Sequence, residues 1–157
     1  MSTVNLTLLP LAGAPAGSPT SDLLATILSM IQTDSVFTAA GLSSSLTQAP
    51  ETAQLPWMVL AILPGQRVLR TLGQGNGTVF TYTIQFSLFA GSAIQTTQLI
   101  DRLATLFDSQ SFAAGAETVI QSYLQRAPTA RQVQRLTAGE PVFSAVAIYR
   151  FDLFLPT

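Results

Sequence analysis

The sequence predicts an α+β domain: a mainly antiparallel sheet with a long β-hairpin, packed against one long helix and an N-terminal helix. Three observations predict it. Thr78 to Ala90 and Phe143 to Leu155 alternate apolar and polar residues, the period-two signature of half-buried strands. Residues 19–31 and 92–107 carry apolar residues at helical spacing instead. One long helix separates two groups of strands, which is not the regular alternation of a doubly wound fold.

Residues 1–17 contain Pro10, Gly13, Pro15 and Gly17 and read as an N-terminal arm, with a short strand expected at Val4–Leu9; 18–157 read as a single domain. Ser18 caps the first helix, Pro19 suits its first position, and Asp22 falls in the first turn. Leu23, Leu24, Ile27, Leu28 and Ile31 form its apolar stripe. A short helical turn is expected over 36–40, closed by Gly41, and a short strand over 42–48. Pro50 and Pro56 bracket a loop. The run Trp57-Met58-Val59-Leu60-Ala61-Ile62-Leu63 predicts a strand buried on both faces, with Trp57 in the core and a bend or end at Pro64-Gly65.

Residues 66–72 continue as a hairpin arm. Gly73-Gln74-Gly75-Asn76-Gly77 is expected to be a turn, since Asn-Gly is a strong hairpin signal, and a mobile one, since it has no apolar residue to bury and glycine costs much entropy to fix. In the strand that follows, Phe80, Tyr82, Ile84, Phe86 and Leu88 share one face, and Thr81, Thr83, Gln85 and Ser87 the other. Ser92 and Gln95 have capping-box spacing, ahead of a helix whose stripe is Leu99, Leu103, Leu106 and Phe107. Residues 117–125 and 130–136 are expected to be two strands joined around Pro128, and 138–141 a turn before the last strand.

Composition narrows the function. Charged residues make up 10% of the 157, against about 25% in an average globular protein. All seven basic residues are arginine, and mean hydropathy is +0.41. Such a surface predicts self-association, since large apolar patches are rare on monomers. Without cysteine or histidine the chain has no disulfide framework, no thiolate nucleophile and no zinc site of the usual ligands. A serine triad lacks its usual base and a Ser–Lys dyad lacks its lysine, so no enzyme and no cofactor is expected. The eight acids mostly fall at helix ends and turns, where solvated carboxylates belong. The glycines at 73, 75 and 77 follow G-x-G-x-G and precede a strand, so they do not form a dinucleotide loop.

A net charge of −1 argues against a nucleic-acid reader. Arg126, Arg131 and Arg135 form the only basic cluster and are candidates for contact with an acidic partner, although charge runs usually just face solvent. Arg67, Arg70, Gln74 and Asn76 make the long hairpin the candidate assembly and lumen element. The longest apolar run is far short of a membrane span, and no basic residue precedes Arg67 to make a signal peptide, so a cytosolic origin is expected. Asn5-Leu6-Thr7 and Asn76-Gly77-Thr78 then read as chance glycosylation patterns.

The order of elements resembles the tail-terminator (tail-completion) proteins of tailed bacteriophages and related neck and minor-tail proteins. The resemblance runs over residues 18–155. It rests on the N-terminal helix, Leu55-Pro56-Trp57-Met58-Val59-Leu60, the hairpin ending in Tyr82-Thr83-Ile84-Gln85-Phe86-Ser87-Leu88-Phe89, the Ser-capped helix with Leu-Ile-Asp-Arg-Leu at 99–103, and Val146-Ala147-Ile148-Tyr149-Arg150-Phe151. The arm at 1–17 departs from the pattern. The resemblance implies a homohexameric ring on the head-proximal end of a tail tube, assembled in the host cytoplasm. Its partners would be the tail-tube protein and the neck or connector proteins, with DNA passing through the lumen unread and no membrane contact. Alternatives are another virion ring (a neck stopper or a tube subunit), or a small apolar-ligand carrier with an internal pocket.

Overall fold

The computed structural model describes residues 19–48, 54–71, 77–126, 128–133, 139 and 141–156, with the backbone alone at 19 and 65–71. The arm at 1–17, Ser18, and the strand expected at Val4–Leu9 lie outside the described residues, as do Pro50, Gly73, Gln74, Gly75, Asn76 and Arg135.

The helix α1 (Pro19–Thr33) buries Leu23, Leu24, Ile27, Leu28 and Ile31, the stripe its spacing predicts. Asp34 caps the short α2 (Ser35–Ala39), accepting from the backbone N–H groups of Val36 and Phe37 at 3.0 and 3.1 Å. Gly41 follows with φ +69°, a conformation glycine adopts without the steric cost of a Cβ. The strand β1 (Ser43–Leu46) then runs parallel to β2 (Trp57–Thr71), and every other pairing in the sheet is antiparallel.

A long hairpin joins β2 to β3 (Gly77–Ala90). Between Leu63 and Arg67, β2 advances four positions while β3 advances two, from Thr83 to Thr81. Pro64 lies in this irregular stretch, where a residue without an N–H does least harm to the ladder. The strand therefore bends at Pro64-Gly65 and continues. Gly77, expected in the turn, belongs to β3 opposite Thr71. A Cβ there would strike the ring of Phe154, so a glycine is needed for packing at that position.

The helix α3 (Ala93–Phe107) starts at Ser92, whose hydroxyl accepts from Gln95 N at 3.1 Å. It buries Thr96, Leu99, Leu103 and Phe107, with Leu106 partly buried against the core. The strands β4 (Phe112–Ala114), β5 (Glu117–Arg126), β6 (Arg131–Val133) and β7 (Val142–Pro156) complete the sheet. The short β4 has no counterpart in the sequence reading. Nor do β5 and β6 pair with each other: both lie along one edge of β7, β5 opposite 148–154 and β6 opposite 142–144. The strand order is β1-β2-β3-β7-β5-β4, with β6 beside β7.

The core lies on one face of this sheet. Met58 and Leu60 from β2, Tyr82, Ile84, Phe86 and Leu88 from β3, and Ala147, Tyr149, Phe151 and Leu153 from β7 are all buried there in one cluster with α1 and α3. The sheet is curled, and α1 touches both of its edge strands, β1 and β4, while α3 packs on β3, β7 and β5. Buried Ser122 fastens the end of α3 to β5: its hydroxyl donates to Phe107 O, and Gln110 N donates to the hydroxyl at 3.3 Å. The expectation of a strand buried on both faces at 57–63 is only half met. Met58 and Leu60 are fully buried and Ile62 is partly buried against the same core, whereas Val59, Ala61 and Leu63 on the opposite side are half-buried, because helices cover only one face. Trp57 is buried outside the main cluster, its Nε1 donating to Ser45 Oγ at 3.0 Å.

Candidate assembly surface

Side chains alternate across a strand, so the residues between the core positions form the outer face of the sheet. Val59, Ala61 and Leu63 lie beside Ser87, Gln85 and Thr83 by register, and Ser87 and Gln85 lie beside Val146 and Ile148. All are half-buried except Val146, which is 38% exposed. Among the described residues no helix covers this face. It is a broad surface of aliphatic, hydroxyl and amide groups, in keeping with the low charge of the whole chain.

Arg126 and Arg131 stand at the margin of this face. Arg131 pairs with Ser144 and Arg126 with Ile148, two positions either side of Val146 on β7. Together with Gln85, Thr129 and Ser144 they line a shallow depression of about 350 Å³, floored by Val146 and Ile148. Both arginines are exposed, and among the described residues neither has a carboxylate within ion-pair distance. Two of the three predicted partner-contact arginines are thus brought to one site, and Arg135 lies outside the described residues.

A third arginine on this face among the described side chains, Arg150, is neutralised. Arg150 Nε donates to Asp152 Oδ1 at 2.9 Å, Thr81 Oγ1 donates to the same oxygen at 2.7 Å, and the guanidinium lies 5.6 Å from the Tyr123 ring centroid. The bond to Asp152 holds the Arg150 guanidinium above its usual range. Arg126 and Arg131 therefore differ from Arg150 in lacking a counter-charge among the described residues.

Between its two edge partners, residues 145–147 of β7 have no ladder partner on that edge among the described residues. Ala145 in this notch lines the arginine depression and also a second one of about 200 Å³ on the helix side. Thr96, Thr97, Ile100, Asp101 and Ala104 of α3 form the wall of the second depression. Along the outside of α3, Ile94, Gln98, Asp101 and Thr105 are exposed. Ile94 is 73% exposed, the most of the large apolar residues described.

Arg67 and Arg70 of the candidate hairpin lie opposite Thr81 and Thr78 on β3, and their side chains are outside the described set. The hairpin end of β3 adjoins the far end of β7, Gly77 opposite Pro156. From Ser144 to Asp152 is about 26 Å along β7 at 3.3 Å per residue. From Ile148, the partner of Arg126, to Asp152 is about 13 Å on the same scale.

Two carboxylates depart from the expectation of solvated acids. Asp34 is buried and holds Arg102 by three contacts, from Nε to Oδ1 at 3.2 Å and to Oδ2 at 3.0 Å, and from Nη2 to Oδ2 at 2.6 Å. The Arg102 bond, helped by the N–H groups of Phe37 and Val36, holds the Asp34 carboxyl below its usual range despite burial. This pair joins α2 to α3. Glu117 is 3% exposed, and its Oε2 has no hydrogen-bond partner. Burial pushes its carboxyl up, and the charge of Asp22 adds to the effect. Nearby, Thr20 Oγ1 donates to the Tyr82 hydroxyl at 3.0 Å. The sequence signal for Asp34 was its position before a short apolar helix; Glu117 carried none, because its burial comes from tertiary packing beside β4, where α1 meets the sheet.

Among the described residues no group of three or more acids could hold a metal ion. No helix among them is long and apolar enough to cross a membrane. The fold defines the class first: a curled α+β sheet with helices on one face and an open outer face. No family model and no curated protein matches the chain. Among solved structures, a chain of the "virion of native gene transfer agent (GTA) particle" matches with a TM-score of 0.58 at 13% identity, covering 88% of this chain and 99% of that one. At that identity the likeness is one of fold.

Proposed function

We propose that this protein is a structural component of a virion, and more finely a ring subunit that caps the head-proximal end of a tail tube, stops tube polymerisation and joins the tail to the neck. The observation that carries the reading is the fold match to a chain of the gene transfer agent virion, which spans nearly all of both chains. The open outer face and the scarcity of charge support self-association. A closed ring needs two different complementary patches on each subunit, and a two-layer fold with unlike faces can supply them. In this reading the protein is not an enzyme, its location is the virion, and DNA passes through the lumen without being read.

Native mass spectrometry and negative-stain microscopy of the purified chain test it. Closed rings of one size, six subunits expected, that end tube growth when added to polymerising tube protein support the terminator role. Open filaments of the chain itself would replace it with a tube subunit. A folded monomer at all soluble concentrations would overturn the ring.

A further inference from the structure

We infer that the Arg126–Arg131 depression receives the outer face of α3, centred on Asp101, from a second copy of this chain. The inference deepens the ring-subunit reading and rests on it. Three observations lead there.

The first is charge. Arg126 and Arg131 have no carboxylate partner among the described residues, and Asp101 is exposed with no ion-pair partner among them. Asp108 is also exposed and outside any ion pair among the described residues, but its Oδ1 accepts from Leu124 N at 3.2 Å, which leaves Asp101 as the exposed acid of this region open to a partner.

The second is arrangement. Along β7 the two arginines bracket exposed Val146, one opposite Ser144 and the other opposite Ile148. A single carboxylate brought over Val146 faces a guanidinium on either side, and long arginine side chains can close on it. On α3, Asp101 stands seven residues after Ile94, so the two share one helical stripe, about 10 Å apart. The stripe therefore presents one acid and one exposed aliphatic side chain to a surface that presents two bases and an aliphatic floor.

The third is position. The arginines lie at the outer face of the sheet, whereas α3 packs on the opposite face. The two patches adjoin across the notch in β7, where Ala145 lines both depressions, and a second copy can bring its α3 over the arginine depression of the first. Head-to-tail contact satisfies both, and repeated contact of that kind closes into a ring or grows as a filament.

The test is a charge exchange in the full chain, read by sedimentation velocity and native mass spectrometry beside thermal melts. Arg126→Glu with Arg131→Glu, and separately Asp101→Arg, should each raise the dissociation constant per contact by about 10–100-fold, since like charges then meet at the interface. Melting of the isolated subunit should not change, because all three side chains are exposed. Combining Arg126→Glu, Arg131→Glu and Asp101→Arg in one chain should restore assembly. If the parent assembles and the arginine reversal assembles as well, the contact is wrong while the ring reading stands. Reversals that each dissociate the assembly without mutual rescue show that these faces do not meet each other. Loss of binding to a short DNA duplex with assembly intact would assign the arginines to nucleic acid and overturn the contact. A parent that stays monomeric overturns the ring reading itself.

Discussion

Replacing Phe107 by alanine should remove the pivot of the core. Phe107 is fully buried as the last residue of α3, and four rings surround it: Phe86 at 5.6 Å, Phe151 at 6.0 Å, Phe112 at 6.2 Å and Tyr149 at 6.3 Å between centroids. Truncating a buried phenylalanine costs about 3–5 kcal/mol through lost transfer energy and the cavity left behind. Each aromatic pair is worth about 0.5–1.5 kcal/mol beyond burial, but the four share one ring and do not add. The expected loss is therefore at the upper end, about 4–5 kcal/mol. Alanine's better helix propensity returns less than about 0.7 kcal/mol and does not change the outcome. For a chain of this length each kcal/mol moves Tm by about 2–4 °C, so Tm should fall by about 8–20 °C. Circular dichroism melts at one fixed concentration measure it, with Gln98→Ala on the exposed side of α3 as a control expected within about 0.5 kcal/mol of the parent. A Phe107→Ala protein that melts within 3 °C (roughly the effect of 1 kcal/mol) of the parent would refute the placement of α3 on this sheet.

Glu117 gives a pH prediction. Its folded value is raised by burial, so its contribution is fully present below the ordinary carboxylate range and is lost as pH rises through the raised value. Glu117→Gln should therefore melt higher than the parent at neutral pH and flatten the pH dependence, as urea titrations between pH 4 and 8 would show; an unchanged pH profile rules out the buried carboxyl. Asp34 works in the opposite sense. Its lowered value means stability present above the ordinary carboxylate range and lost in acid. Asp34→Ala should cost about 1 kcal/mol for the cap alone and more through stranded Arg102, measured by the same titration at pH 7. Gly115→Ala should cost more than about 1 kcal/mol, because φ is +66° and a Cβ would collide with the Asp22 carboxylate. Replacing 72–76 with Asn-Gly between paired Thr71 and Gly77 should keep the subunit's Tm and abolish tail completion. Full completion by the shortened protein would make the loop a simple connector.

Local patterns carried most of the fold. The stripe Leu23, Leu24, Ile27, Leu28, Ile31, the alternation at 80–88 and the Ser92 cap each depend on neighbours within a few residues, and each was readable. What was not readable depends on distant pairing. The strand β1 is four residues of Ser and Leu, and its parallel register with 57–60 is set by where α1 and α2 deliver the chain. Strands β5 and β6 were readable as two strands joined around Pro128, but not that the edge of β7 takes both. The same limit applies to the candidate surface. A cluster of arginines was visible, but Arg126 and Arg131 bracketing Val146 is a product of sheet register. The match of Asp34 with Arg102 joins residues 68 positions apart, which no local pattern reports.

The position of β7 has a kinetic consequence. The strand at 142–156 sits in the middle of the sheet, pairing Ala90 with Phe143 at one end and Gly77 with Pro156 at the other. Until it docks, β3 has an open edge along its whole length, and Tyr82, Ile84, Phe86 and Leu88 lack their neighbours from β7. Such an intermediate is a template for strand addition by other chains. Contacts this remote in sequence also place folding in the slower regime, milliseconds to seconds. The short interval before β7 arrives is when newly made copies are most prone to join in the wrong way, edge to edge, before either has the faces needed to join in the right one.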